Sequence, residues 1–260
     1  LSVILNNDQI YQGALILVNG RYPLRHEDPS DLIAPDRACP HILLWQNAAR
    51  ALIRIFDHLA CGTSIALVSG YRSMEEQKYL PISLKENGQT FTRQFVALPG
   101  HSEHQTGLAI DLAQAQENID FICPDFPYEG ICQDFRRNAA DYGFVERYAK
   151  EKESVTGIAH EPWHFRYVGT PHAKLMEENH LSLEEYMDFL KRYPPDHPLT
   201  FQSPDQMPVD IFYLPADEKT TLLRLPADAH YHISGNNADG FIVTLARSEG
   251  GRSMYKRKNF

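Results

Sequence analysis

Ser102-Glu103-His104-Gln105-Thr106-Gly107-Leu108-Ala109-Ile110-Asp111 is the stretch on which the reading of this chain turns. A polar, histidine-bearing loop reaches Gly107 and runs into apolar residues that read as a strand. His104 and Asp111 therefore flank a turn that can aim both side chains at one point. A His-x6-Asp spacing alone is a weak signal. A second stretch, His160-Glu161-Pro162-Trp163-His164, adds an independent pair. His104, Asp111 and His164 together offer two imidazoles and one carboxylate, a ligand set that suits catalytic Zn2+ with its fourth tetrahedral position open for water. Glu161, held extended because it precedes Pro162, is a carboxylate with no evident structural duty. Such a group takes the proton from an attacking water in metal-assisted hydrolysis.

Working outward, Ile65–Ser69 is a short apolar run with β-branched members, a candidate buried strand, and it leads into the turn Gly70-Tyr71-Arg72-Ser73. Ser73 and Glu76 have the spacing of a capping box for a short helix. Between Ile42 and Ala60, Trp45, Ala48, Ala49, Leu52, Phe56 and Leu59 recur at helical period, and Gly62 ends the pattern. Strands are expected at Leu108–Leu112, Phe144–Tyr148 and Trp163–Val168, with helices over Phe135–Asp141, from Pro171 and from Ser182. In the last of these Leu183, Tyr186, Met187 and Leu190 form the apolar stripe. Residues 1–40 read as loop-rich, with one short strand at Ala14–Val18.

Composition changes after Tyr193. The stiff connector Pro194-Pro195-Asp196-His197-Pro198 precedes four alternating apolar segments separated by turn signals, Val209–Leu214, Thr221–Leu225, Tyr231–Ile233 and Phe241–Leu245. This is the pattern of a small antiparallel β module. The expected organisation is a catalytic domain over residues 1–193 and a β-rich module over 194–260, its role unassigned. With 260 residues, the chain is long enough for one substantial core. A net charge of −9 argues against nucleic acid or an anionic membrane as principal partner. No apolar run approaches the ~20 residues that span a bilayer. Cys39, Cys61, Cys123 and Cys132 show no dense framework. They read as free thiols of a reducing compartment, so a cytoplasmic location is expected; the chain starts at Leu1, and the alternative is an extracytoplasmic protein whose leader or anchor has been removed.

Three more residues are candidates for the site. Arg72 follows a buried strand on a loop that can present a guanidinium to a cleft, and it would stabilise an oxyanion; its structural alternative is an ion pair with Glu75 or Glu76. Ser102 and Gln77 are candidates for hydrogen bonding a substrate's termini, with surface or capping duty as the alternative. His101 is expected at the pocket mouth. His160 is expected to point away from the site, since strand neighbours face opposite sides.

The stretches Val68-Ser69-Gly70-Tyr71-Arg72-Ser73, Ser102–Asp111, Gly143-Phe144 and Glu161-Pro162-Trp163-His164-Phe165-Arg166-Tyr167-Val168-Gly169 resemble the VanY/VanXY-type D,D-peptidases of glycopeptide resistance. The likeness covers about residues 10–192. It implies an α+β fold, compact and shared with hedgehog-type proteins, whose central antiparallel sheet carries zinc on His104, Asp111 and His164. It also implies Glu161 as catalytic base, Arg72 at the transition state and Ser102 beside the substrate. The expected substrates are the D-Ala-D-Ala dipeptide and the peptidoglycan pentapeptide precursor. Alternatives are an extracytoplasmic D,D- or L,D-carboxypeptidase that trims mature wall peptides, and a non-catalytic zinc module that binds a partner. The β-rich tail departs from the shorter members of the group.

Overall fold

The computed structural model describes residues 1–25, 29–83, 97–202 and 207–247. The chain divides into two compact units, Val18–Leu183 and a second one built from Leu1–Leu17 together with Glu184–Phe260. The first strand of the chain, β1 (Ser2–Asn6), belongs to the second unit. That division differs from the boundary expected at 193/194, because β1 pairs antiparallel with a strand more than two hundred residues later.

The Val18–Leu183 unit follows with the short pair β2 (Leu32–Ile33) and β3 (Leu44–Trp45), helix α1 (Gln46–Leu59), β4 (Ile65–Ser69), α2 (Met74–Ser83), β5 (Ala109–Gln114), α3 (Gly130–Ala139), β6 (Phe144–Tyr148), the single turn α4 (Glu153–Thr156), β7 (Glu161–Tyr167) and α5 (His172–Glu178). Its central sheet has the order β4-β5-β7-β6, and every neighbouring pair is antiparallel. The strands β4 and β6 match the expected spans because Gly70 follows the first and Gly143 precedes the second. Helix α1 starts later than its pattern suggested, since Leu44 and Trp45 are claimed by pairing with Leu32 and Ile33. Helix α3 starts earlier than expected, and Ala140–Tyr142 tightens into a 3-10 turn before Gly143.

One face of α1 buries Ala48, Ala49, Leu52 and Ile55 in a cluster with Ile110 and Leu112 of β5 and Phe165 of β7. Phe165 meets Phe135 of α3 edge to face, ring centroids 4.9 Å apart. Period-two alternation then turns Asp111 and His164, each next in the chain to these core residues, to the opposite side of the sheet. Burial of the one face thus fixes where the polar face points. All four cysteines are free.

The second unit adds α6 (Leu183–Leu190, all but its first residue), β8 (Leu199–Phe201), β9 (Val209–Pro215), β10 (Thr220–Arg224), β11 (Tyr231–Gly235) and β12 (Gly240–Ala246). The sheet order is β11-β12-β9-β8, antiparallel throughout, with β1·β10 as a separate ribbon. Leu5 and Leu223 of the ribbon share a core with Phe212, Phe241 and Val243. The strand expected at Ala14–Val18 is absent: these residues are buried, but they form no ladder. Their backbone is satisfied otherwise. Leu15 N–H donates to Ser234 Oγ, Leu17 N–H to Asn236 O, and Asn237 Nδ2 donates to Leu17 O. Among the described residues no helix is long and apolar enough to cross a membrane.

Candidate active site

Asp111 and His164 stand directly opposite each other in the β5·β7 ladder, and Ser69 of β4 is Asp111's partner on the other side. Register alone therefore places three polar side chains in one row. His104 arrives from the 3-10 turn Glu103–Thr106, which ends at Gly107 with φ 69°. A Cβ at Gly107 would meet Leu32 Cδ2 at 2.8 Å and Trp45 N at 3.0 Å, so both the dihedral and the space call for glycine. Gly70 is equally confined: its Cβ would lie 2.4 Å from Leu43 O. That tight packing sets Gly70 O where His104 Nδ1 meets it at 2.7 Å.

Ligand atoms of His104, Asp111 and His164 lie within 4.8 Å of one another, all buried. His104 Nε2 is 3.1 Å from Asp111 Oδ2, and His164 Nδ1 is 2.8 Å from Asp111 Oδ1. With its Nδ1–H given to Gly70, His104 keeps its Nε2 lone pair for the centre of the cluster. Burial lowers the pKa of His104, which favours the neutral, ligating imidazole. Burial alone would raise Asp111, but the two histidines outweigh it and hold the carboxyl well below the usual carboxylate range. His164 goes the other way. Burial opposes its charge, yet the carboxylates of Asp111, Glu103 and Glu161 prevail and raise it to about 10.

Glu161 Oε2 lies 3.9 Å from His164 Nδ1. On a regular strand residues three apart face opposite sides. Here the β6·β7 pairing shifts register between Glu146 and Tyr148, and Pro162, which has no N–H for a ladder, sits inside the irregularity. Glu161 and His164 consequently share the cleft. Burial is the main reason that the Glu161 carboxyl is pushed up to about 8.

Arg72 lines the same cleft, and among the described residues no ion pair to Glu75 or Glu76 holds its guanidinium. Its Nη1 donates to Gln77 Oε1 (2.9 Å) and its Nη2 to Ser69 Oγ (3.1 Å). Ser102 is buried at the cleft wall. Gln77, expected at the substrate, is placed one layer behind: fully buried, it accepts from Arg72 and donates to Ala97 O at 2.8 Å. His101 is tied to Asn19 O and does not line the cleft, a difference from its expected place at the mouth. His160 points away as expected, toward Tyr128 Oη and Glu146. The expected capping box forms, with Ser73 N–H and Oγ–H donating to Glu76 and Glu76 N–H returning to Ser73 Oγ.

The cleft also contains residues that the sequence did not single out. Ala97, Phe121, Ile122 and Ile158 give it an apolar wall. Tyr148 lays its ring 4.9 Å from that of His164. Glu103 is buried beneath the ligands between Arg147 and Arg166. Their signal was partly available: Arg166 stands two residues after His164 on one strand, hence on the same face, and Glu103 adjoins His104.

The mixed helix-and-sheet architecture with its antiparallel central sheet is that of VanY/VanX-type peptidases. A family model described as VanY, D-alanyl-D-alanine carboxypeptidase, matches residues 41–170, and the chain belongs to that family. It is 42% identical over 179 residues to a bifunctional D-Ala-D-Ala dipeptidase and carboxypeptidase, VanXYC of Enterococcus gallinarum, an alignment covering 68% of this chain and 94% of that one. The structure superposes on the vancomycin-resistance D,D-dipeptidase VanXYg, solved with a D-Ala-D-Ala phosphinate analogue, with a TM-score of 0.93 and 52% identity over 95% of this chain and 99% of that one. A D,D-pentapeptidase VanY from a VanB-type resistance cassette, solved with Zn(II), gives a TM-score of 0.53 and 28% identity over 67% and 98% of the two chains.

Proposed function

We propose that the protein is a zinc-dependent D,D-peptidase that hydrolyses D-Ala-D-Ala and removes the terminal D-Ala of peptidoglycan pentapeptide precursors, as part of glycopeptide resistance. The observation that carries this reading is the convergence of His104, Asp111 and His164 in one buried cleft with Glu161 and Arg72. Support comes from the bifunctional activity named for VanXYC and from the dipeptide analogue and Zn(II) named for the two solved relatives.

The donor set fits zinc: two imidazoles and one carboxylate, buried, with one histidine's tautomer already fixed by a backbone carbonyl. His104, Asp111 and His164 would hold the ion, which would supply Lewis-acid chemistry at the cleft. Glu161, a carboxyl raised by burial, takes the proton of an attacking water and returns it to the leaving amine. Arg72 faces the oxygen on which negative charge develops, and its bonds to Gln77 and Ser69 hold two of its N–H groups in place beforehand. Ser102, buried in the cleft wall, would hydrogen bond the substrate backbone. The wall of Ala97, Phe121, Ile122 and Ile158 suits methyl side chains.

The test is D-Ala release from free D-Ala-D-Ala and from a pentapeptide precursor, measured side by side with and without a chelator. Release from both is expected, abolished by chelation and restored by zinc. Release from neither substrate by zinc-replete protein refutes the reading. Glu161→Ala should keep its zinc and lose turnover.

A further inference from the structure

Resting on the zinc reading above, we propose that Glu103 is a positioning residue that accepts the Nε2–H of His164 and so turns the Nδ1 lone pair of that histidine onto the metal. Glu103 adjoins His104 in the chain, yet its side chain serves the other imidazole. Its carboxylate is completely buried, and so are the two arginines that hold it. Oε1 accepts from Arg147 Nε at 2.8 Å and lies 2.9 Å from Arg166 Nη1. Oε2 faces His164 Nε2 at 3.5 Å, longer than the ~2.7–3.2 Å typical of N–H···O bonds.

Three wholly buried charges are a poor way to stabilise a core. Apolar side chains of the same volume often do as well or better, so such a cluster calls for another reason. The ring of His164 supplies it. Nδ1 is the nitrogen that faces Asp111 and the centre of the ligand cluster. For Nδ1 to offer a lone pair, the proton must reside on Nε2, and Nε2 needs an acceptor. Glu103 Oε2 is that acceptor. A carboxylate behind a ligating imidazole fixes its tautomer and orientation and raises its basicity.

The two ligating histidines are thus held by different devices. His104 leans on a neutral backbone carbonyl, Gly70 O, which the tight glycine turn fixes. His164 sits on a strand whose pairing is irregular between Glu161 and Phe165, where the backbone is a less dependable guide. Its orientation is set instead by a carboxylate that Arg147 of β6 and Arg166 of β7 pin across two strands. Glu103 holds the ring at Nε2, which leaves Nδ1 facing Asp111 across the centre of the cluster.

The experiment compares wild type, Glu103→Gln and Glu103→Asp. Zinc affinity is read by competition with a chromogenic chelator, and the imidazole nitrogens of zinc-loaded, 15N-histidine protein by long-range 1H–15N correlation. Circular dichroism identifies folded variants. The glutamine variant is expected to bind zinc about 10- to 100-fold more weakly, the usual effect of losing such a partner. Its His164 Nε2–H resonance should move while the His104 Nδ1–H resonance, bonded to Gly70, stays. Should the Glu103→Gln protein fail to fold, the aspartate variant decides: it keeps a charge for the two arginines but draws the carboxylate back by one methylene, and the same weakening is expected. A folded variant with zinc affinity within about twofold of wild type and an unmoved His164 resonance overturns the proposal and leaves the zinc reading intact. A wild-type protein that binds no zinc overturns both.

Discussion

Glu161 is a carboxyl held in a place that penalises its charge, and replacing it with the isosteric amide should stabilise the metal-free fold at alkaline pH. Burial holds its carboxyl at about 8 against an ordinary value of 4.5. Below pH 4.5 the group is protonated in both folded and unfolded chains, and it contributes no pH dependence. Between 4.5 and 8 the unfolded chain has released the proton while the folded chain keeps it. Stability therefore falls as pH rises through that window and levels off above it. At about 1.4 kcal/mol per pH step, the loss is about 2 kcal/mol at pH 6 and at most about 5 kcal/mol above pH 8. Glu161→Gln cannot ionise and escapes this loss, and its difference from wild type also carries the smaller change in His164, which the Glu161 charge helps to raise. Urea melts of metal-free wild type and Glu161→Gln at pH 5, 6.5 and 8, followed by circular dichroism, should give a stability difference that grows with pH in favour of the variant. Zinc should shrink it, because a neighbouring cation favours the carboxylate. A difference that stays flat across the window, or favours wild type more as pH rises, refutes the argument that burial governs this carboxyl.

Arg72→Lys should retain zinc and fold but lose about 10²- to 10³-fold in kcat, read by steady-state D-Ala release, because an ammonium cannot reproduce a guanidinium held at once by Gln77 and Ser69. On the proposed zinc reading His104→Ala removes an imidazole whose Nδ1 is held by Gly70 O, and elemental analysis should show zinc lost from the variant. Gly107→Ala should lower the melting temperature, by about 1–3 kcal/mol or more of stability, since φ is 69° and the new Cβ would press on Leu32 and Trp45.

What the sequence disclosed about this molecule follows the range of the interactions involved. Strands β4 and β6 were legible because a glycine bounds each of them, and the capping box of α2 was legible because Ser73 and Glu76 satisfy each other within one turn. The pairing of β1 with β10 was not, since neither strand carries a local mark of a partner so distant. Ala14–Val18 looked like a strand because it is apolar and buried. Its backbone bonds instead go to Ser234, Asn236 and Asn237, a solution that no periodicity encodes.

The same division runs through the site. His104, Asp111, His164 and Glu161 announce themselves by residue type and spacing, for the metal ligation and proton transfer proposed for them admit few side chains. Gln77 and Glu103 do not, because their duties depend on what lies behind the ligands. A glutamine bonded to Arg72 at one end and Ala97 at the other reads, in sequence, like any polar residue on a helix. Glu103 has partners on β6 and β7 that only the folded sheet brings together. Direct contact with the chemistry leaves a local signature in the chain, whereas the aiming of those contacts is written in tertiary structure. A sequence reading of such a site therefore finds the groups that react before it finds the groups that hold them.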